Sequence, residues 1–160
     1  MTTRTWSIAT IVAVLASAAL VVFGVGAVGA KTSGKKDSGI VYAAETYSKN
    51  GIQYVAGNAK DKLFGNQAVT YALKIGPGTP GTFHVKAKRV TTWSKTGSLS
   101  GTATATLIVN PDGTATITNG KLKETKGTGT QKGHRFVAAF SGTGTVSSGR
   151  FIFKYKGRYS

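Results

Sequence analysis

Apolar and polar residues alternate along much of the chain from Ile40 onward, and this period of two limits the possible folds more than any other feature. The clearest run covers residues 99–110, where Leu99, Ala103 and Leu107 share one face and threonines occupy the other. Successive side chains of a β-strand point to opposite faces, so such a run predicts a strand with one buried side. Helical spacing is scarce, and the abundant Gly and Thr weaken helices. The sequence therefore predicts an all-β fold.

Turn sequences separate the alternating runs. Asn50-Gly51 is the strongest short hairpin signal, because both residues tolerate positive φ, and Asn110-Pro111-Asp112-Gly113 is a turn by composition. The predicted strands cover residues 40–47, 52–57, 66–75, 82–93, 99–110, 114–118, 134–142 and 149–159, with 121–125 as a further short candidate. Eight or nine short strands predict a single antiparallel β-barrel of about eight strands, with a β-sandwich as the alternative.

The N-terminal segment has the sequence pattern of an export signal. An uncharged apolar run from Ile8 to Val28 follows Arg4, and the small residues up to Ala30 suit a signal peptidase. We therefore predict a signal peptide over residues 1–30 and a protein that is secreted, either extracellular or associated with the cell wall. The alternative is a membrane anchor formed by residues 8–28, because about 20 apolar residues span a bilayer.

Residues 31–39 are small, polar and charged, and this composition predicts a flexible lead-in. The β-barrel domain is then expected over residues 40–160. The chain contains no Cys, which excludes a disulfide framework, a catalytic Cys and a Cys-rich zinc site. The barrel must therefore be stable through its core alone.

The charge of the chain favours an anionic partner. There are 21 Lys and Arg against 5 Asp and Glu, a formal net charge of +16. In residues 149–159, Phe151, Phe153 and Tyr155 share one face of the predicted strand. The opposite face carries Arg150, Ile152, Lys154, Lys156 and Arg158. A strand cannot bury four unpaired cations, so we expect the aromatic face to point inward.

Residues 82–93 repeat this arrangement less regularly, with Lys86 and Lys88 opposite Phe83 and Val85. If the two strands are neighbours, the barrel has one basic outer patch. The candidate polyanion-binding residues are Arg150, Lys154, Lys156, Arg158, Lys86 and Lys88, and the expected partners are anionic envelope polymers or other polyanions. No RNA-binding signature or interleaved aromatic residues accompany them, so sequence-specific nucleic-acid binding is not expected. The alternative is that the charge serves solubility alone.

Catalytic and cofactor motifs are sparse. Glu45 is a weak catalytic candidate, because an inward-facing position among tyrosines would bury its carboxyl group and raise its pKa. The glycines of residues 76–81 have the spacing of a dinucleotide-binding loop, but Pro77 and Pro80 lack N–H groups and a strand follows. His84 and His134 are too few and too far apart in sequence to predict a metal site. We expect no cofactor and no metal.

The C-terminal part of the chain has a distinctive pattern of glycines and aromatic residues. It combines Lys126-Gly127-Thr128-Gly129, Phe140-Ser141-Gly142-Thr143-Gly144 and Phe151-x-Phe-x-Tyr-x-Gly157. Over residues 98–159 this pattern resembles exported bacterial proteins, of actinobacterial type, in the allene-oxide-cyclase-like barrel group, which is similar in turn to plant dirigent proteins. The resemblance implies an eight-stranded antiparallel barrel. It carries over no catalytic residues, because neither the cyclase Glu/Asn/Cys set nor the dirigent Asp/Arg set can be placed on this chain.

Two classes of function follow from these observations. We expect a non-enzymatic, exported barrel protein that binds polyanions through its outer face. The alternative is a cyclase-like or dirigent-like enzyme, or a small-ligand carrier, that uses the barrel interior. An interior filled by Phe, Leu and Val would exclude the alternative, whereas an open cavity with Glu45 or tyrosines pointing inward would favour it.

Overall fold

Eight antiparallel strands form a closed barrel in the computed structural model, which describes residues 34–160. The strands are β1 (Lys35–Lys49), β2 (Ile52–Asp61), β3 (Gly65–Pro77), β4 (Thr82–Ser94), β5 (Gly97–Val109), β6 (Thr114–Gly129), β7 (Phe136–Thr145) and β8 (Arg150–Tyr159). The prediction of an all-β barrel is confirmed, and the fold is not a sandwich. The predicted signal peptide lies outside the described residues. Residues 34–160 contain no helix with the length and apolarity needed to cross a membrane.

Each strand pairs with its neighbours in sequence, and β1 pairs with β8 to close the barrel. One end, which we call the terminal rim, carries the start of β1, the end of β8 and the β2–β3, β4–β5 and β6–β7 turns. The other end, the hairpin rim, carries the remaining four turns. Strand β1 begins at Lys35 and not near Ile40, because Lys35–Gly39 pair with the end of β8 (Tyr159 back to Tyr155). These residues, which the sequence suggested were a flexible lead-in, therefore belong to the closing seam.

The turn predicted from Asn50 and Gly51 forms at the β1–β2 hairpin, where these two residues have φ of 52° and 69°. A second left-handed residue, Asn119 (φ 52°), lies within β6 and not between two strands. There the register against β7 shifts between Ile117 and Gly120. The two predicted short strands 114–118 and 121–125 are therefore one strand interrupted by a β-bulge, which explains why the barrel has eight strands and not nine.

The inward face of the last strand carries aromatic residues, as predicted. Phe151, Phe153 and Tyr155 line the interior, while Lys154 and Lys156 between and beyond them are exposed. Glycines of the neighbouring strand make room for rings of this kind. A Cβ atom on Gly144 would lie 2.1 Å from a ring carbon of Phe151, so at this position only glycine fits beneath the ring.

Small side chains occupy many of the other inward positions. Buried alanines occur on six of the eight strands: Ala43, Ala59, Ala87, Ala103, Ala115 and Ala138. Larger side chains, among them Val41, Val69 and Leu107, pack between them in three clusters. Because alanine side chains are short, inward positions occupied by alanine leave space at the centre of the barrel.

Candidate functional site

A cavity of about 140 Å³ lies inside the barrel. Most of its lining is apolar, with aliphatic side chains such as Val55, Leu73 and Ile117 and the aromatic rings of Phe140 and Phe153. An apolar cavity of about 150 Å³ is large enough to bind benzene. The interior therefore has room for a compact molecule of roughly one ring.

The terminal rim provides an approach to this cavity. An open depression of about 520 Å³ shares Phe64, Ser94, Gln131 and Tyr159 with the cavity lining. The Tyr159 hydroxyl donates a hydrogen bond of 2.8 Å to the buried Gln131 amide oxygen, and its ring lies edge-on to Phe64. These side chains form both the floor of the depression and the roof of the cavity.

Two carboxyl groups meet below this roof. The Asp37 side chain, 6% exposed, shares a hydrogen bond with the Asp61 carboxyl group. Burial, followed by the hydrogen bond and negative charge of Asp61, raises the pKa of Asp37 to about 7. Asp61 also accepts a hydrogen bond from the Tyr155 hydroxyl and two from the backbone N–H groups of the β2–β3 turn, both 2.7 Å. Together with the Tyr155 hydroxyl, the pair therefore links β1, β2 and β8 at the closing seam.

A third carboxyl group is buried deeper. Glu124 is 1% exposed, and the Thr92 hydroxyl donates a hydrogen bond of 2.9 Å to its Oε1 atom. Burial raises the pKa of Glu124 to about 7, and the hydrogen bond from Thr92 offsets only part of that effect. No Lys or Arg contributes to the pKa of Glu124 or Asp37. Asp37 and Glu124, with pKa values of about 7, are therefore largely protonated, and neutral, below about pH 6.

Tyr71 is a further polar residue of the cavity wall. Its ring lies edge-on to Phe153, 6.3 Å between centroids, and its side chain lines the cavity. Burial, with a smaller contribution from the charge of Glu124, raises the pKa of Tyr71 well above its ordinary value. Tyr71 is therefore a neutral hydroxyl, able to donate a hydrogen bond, beside a neutral carboxyl group.

Glu45, the catalytic candidate from the sequence, has a different environment. It lines the cavity at the hairpin rim, but its side chain is exposed. Val41 and Ala43 on the same face are buried, and the register of β1 against β2 shifts between Glu45 and Tyr47. Glu45 therefore lies at the open hairpin rim and is not the buried carboxyl group that the alternation suggested.

The basic residues lie on the outer wall and do not form the single patch that neighbouring strands would give. Lys86 and Lys88 are exposed on β4, which lies four strands from β8 in either direction around the barrel. The β8 residues instead join cations of β1 and β6. We call this surface the basic wall. It consists of Lys36, Lys121, Lys123, Arg150, Lys154, Lys156 and Arg158, all exposed.

The strand register places these outward-facing cations on the same side of the barrel. Lys36 pairs with Arg158 across the β1–β8 seam. On the other side of β8, one outward residue of β7 separates Lys156 from Lys121. None of the five acidic residues of the chain lies on this wall, because three of them face the interior and two lie near the hairpin rim.

The other sequence motifs carry no ligand geometry. His84 is exposed on β4, and His134 stacks on Tyr159 with ring centroids 4.9 Å apart. No group of three potential metal ligands occurs within residues 34–160. The glycine- and proline-rich residues 76–81 lead from β3 directly into β4, where no helix N-terminus is present to bind a phosphate.

Sequence reasoning missed Asp37 and Glu124 for different reasons. Glu124 alternates with Lys121, Lys123 and Thr125 and shares the face of Leu122, so the period of two did carry a signal for its burial. Asp37 lies two positions before Gly39 on the face of Val41, but it fell within the segment expected to be flexible. Its burial depends on the β1–β8 pairing, which spans the whole chain.

No family model, curated protein or solved structure matches this chain. The function is therefore inferred from the geometry of the barrel itself.

Proposed function

We propose that this protein binds a small, mostly apolar molecule inside its barrel. The observation that carries the proposal is the cavity of about 140 Å³, whose wall is largely aliphatic and aromatic with a few buried polar groups on one side. Ligand sites are commonly concave and apolar, with a small number of polar groups that orient the ligand. The size favours a ligand of about six to ten non-hydrogen atoms. Of the two function classes that the sequence left open, this supports the small-ligand carrier.

A titration with benzene and toluene, followed by ¹H–¹⁵N NMR, tests this proposal. We expect chemical-shift changes at cavity-lining residues such as Leu73, Ala105 and Phe153. The variant Ala105→Leu adds three carbon atoms toward the cavity and should abolish binding, because Ala105 is partly buried on the inner face. Ala139→Leu adds the same atoms on the outer face, opposite Lys156, and should bind normally. Equal binding by both variants would locate the hydrocarbon elsewhere and overturn the proposal.

A second candidate function, polyanion binding, is favoured by the separation of charge across the barrel wall. Three carboxyl groups face the interior and the basic wall contains no acidic residue, so every charge on this wall is positive. Binding of an anionic polymer to such a surface is driven largely by counterion release and weakens steeply with salt. Together with the predicted export, this surface would hold the protein at anionic polymers of a cell envelope.

Charge reversal on opposite sides of the barrel tests the second candidate. The double variant Lys154→Glu/Lys156→Glu changes the basic wall, and Lys86→Glu/Lys88→Glu makes the same charge change on β4. If the wall is the binding surface, the first variant should weaken heparin and teichoic acid binding much more than the second. Equal losses would mean that only net charge matters. Binding that does not weaken between about 50 and 200 mM salt would contradict the counterion mechanism.

A further inference from the structure

The cavity contains two polar atoms that the protein itself leaves without a hydrogen-bond partner. The Tyr71 hydroxyl forms no hydrogen bond with any residue of the described chain, and Glu124 forms one, from Thr92 to Oε1. Within residues 34–160 no fully buried side-chain polar atom lacks a partner. The Tyr71 hydroxyl and Glu124 Oε2 must therefore border open space. Both residues line the cavity, so that space is the ligand site.

Both groups act as hydrogen-bond donors toward the cavity. Tyr71 keeps its proton because burial and the neighbouring Glu124 disfavour the phenolate. The Glu124 carboxyl group, largely protonated at pH 6 because its pKa is about 7, accepts a hydrogen bond from Thr92 at Oε1 and so presents its own proton at Oε2. Two neutral donors in an apolar site are suited to one acceptor oxygen, an arrangement that a carboxylic acid kept neutral by its surroundings makes possible.

The charges around the site restrict the ligand further. The other titratable groups that line the cavity are Asp37, Glu45, Asp61, Tyr155 and Tyr159. Strands β4, β5 and β7 contribute none, and no Lys or Arg of the described residues lines the cavity. A carboxylate or phosphate ligand would lack a cation and face several acids. An ammonium ligand has no lone pair to accept from Tyr71. A neutral acceptor oxygen on an apolar body satisfies both donors without placing an unpaired charge inside the barrel.

We propose that the interior site binds a compact ketone or aldehyde, whose carbonyl oxygen accepts hydrogen bonds from the Tyr71 hydroxyl and the Glu124 carboxyl group. This inference rests on the proposed ligand-binding function and adds the chemical class of the ligand. Cyclohexanone and methylenecyclohexane are suitable probes, because they have nearly the same shape and differ in the oxygen.

NMR titration of the purified protein at pH 6 with both probes separates this inference from the general proposal. We expect cyclohexanone to bind about thirtyfold more tightly than methylenecyclohexane, a value typical of two hydrogen bonds. In Tyr71→Phe, cyclohexanone should lose about fivefold in affinity and methylenecyclohexane should be unaffected. Equal affinities of the two probes, with no effect of Tyr71→Phe, would overturn the carbonyl inference but leave apolar binding intact. Binding of neither probe would overturn both.

The pH dependence provides an independent test. The preference for the ketone should decrease between pH 6 and pH 8.5, because Glu124 loses the proton that it donates. In Glu124→Gln the amide N–H group donates at every pH, so the preference should stay constant over this range. Asp37, which titrates in the same range, is present in both proteins. The same decrease in the wild type and in Glu124→Gln would mean that Asp37 causes it and that Glu124 donates no hydrogen bond to the ligand.

Discussion

The burial of Glu124 predicts how the stability of the protein changes with pH. Its carboxyl group is 1% exposed, has one hydrogen bond and has no cationic partner that lowers its pKa. Glu124→Gln replaces it by a group of nearly the same shape that cannot ionise and whose amide oxygen can still accept from Thr92. The variant therefore isolates the free-energy cost of a charge at this position.

The sign and size of the effect follow from the two pKa values of Glu124. Folding raises its pKa from 4.5 to about 7, so the folded protein binds this proton more tightly than the unfolded chain does. The stability contribution is complete below pH 4.5, falls as the pH rises through 7 and is then constant. At about 1.4 kcal/mol per pH unit over that interval, the loss is roughly 3 kcal/mol.

Urea denaturation from pH 4.5 to pH 8.5 measures this difference. Glu124→Gln should match the wild type within about 1 kcal/mol at pH 4.5 and be more stable by about 2–3 kcal/mol at pH 8.5, after allowance for imperfect amide hydrogen bonds. Asp37 titrates in both proteins, and its contribution cancels in the difference. Glu45→Gln removes a carboxyl group from an exposed position and controls for net charge. Parallel stability curves for the wild type and Glu124→Gln would refute the reasoning.

Three further outcomes are expected. Phe153→Ala should lower the free energy of unfolding by about 3 kcal/mol, the lower end for a buried Phe, because one side of the ring borders the cavity. Ile152→Ala on the outer face should lower it by less than about 1 kcal/mol. Similar losses for the two variants would mean that the inward and outward faces of β8 are reversed. Tyr155→Phe should cost about 1–2 kcal/mol by removing the hydrogen bond to Asp61, and an unchanged urea midpoint would show that the bond is not stabilising. Mass spectrometry of culture supernatant should find a mature chain that begins at Lys31, and recovery of the intact chain only in membranes would favour the anchor.

Local sequence signals predicted most of the fold. Asn50 and Gly51 form the expected hairpin because two residues that tolerate positive φ are sufficient to reverse the chain. The alternation in β8 placed Phe153 inward and Lys154 outward, because the side-chain period of a strand is independent of its neighbours. The exceptions are local distortions, such as the β-bulge at Asn119 that joins two predicted strands into one.

The candidate site was less accessible to sequence reasoning. The pattern around Glu124 indicated an inward carboxyl group, but nothing in it indicated whether the space beside that group was filled. Glu45 had a similar pattern and also lines the cavity, but it lies at the hairpin rim and is exposed. Strand alternation predicts whether a side chain points inward or outward, whereas its burial depends on which side chains of the other strands pack against it.

The sequence by itself determined the strands, their turns and which side of β8 is basic, because these depend on residues within one or two strands of the chain. The tertiary structure alone decided that Lys86 and Arg158 lie on opposite sides of the barrel, that Asp37 meets Asp61 at the closing seam, and that inward alanines leave a cavity beside Tyr71 and Glu124. Each of these depends on how a closed ring of eight strands brings together residues up to 124 positions apart, such as Lys35 with Tyr159. No local pattern encodes that closure.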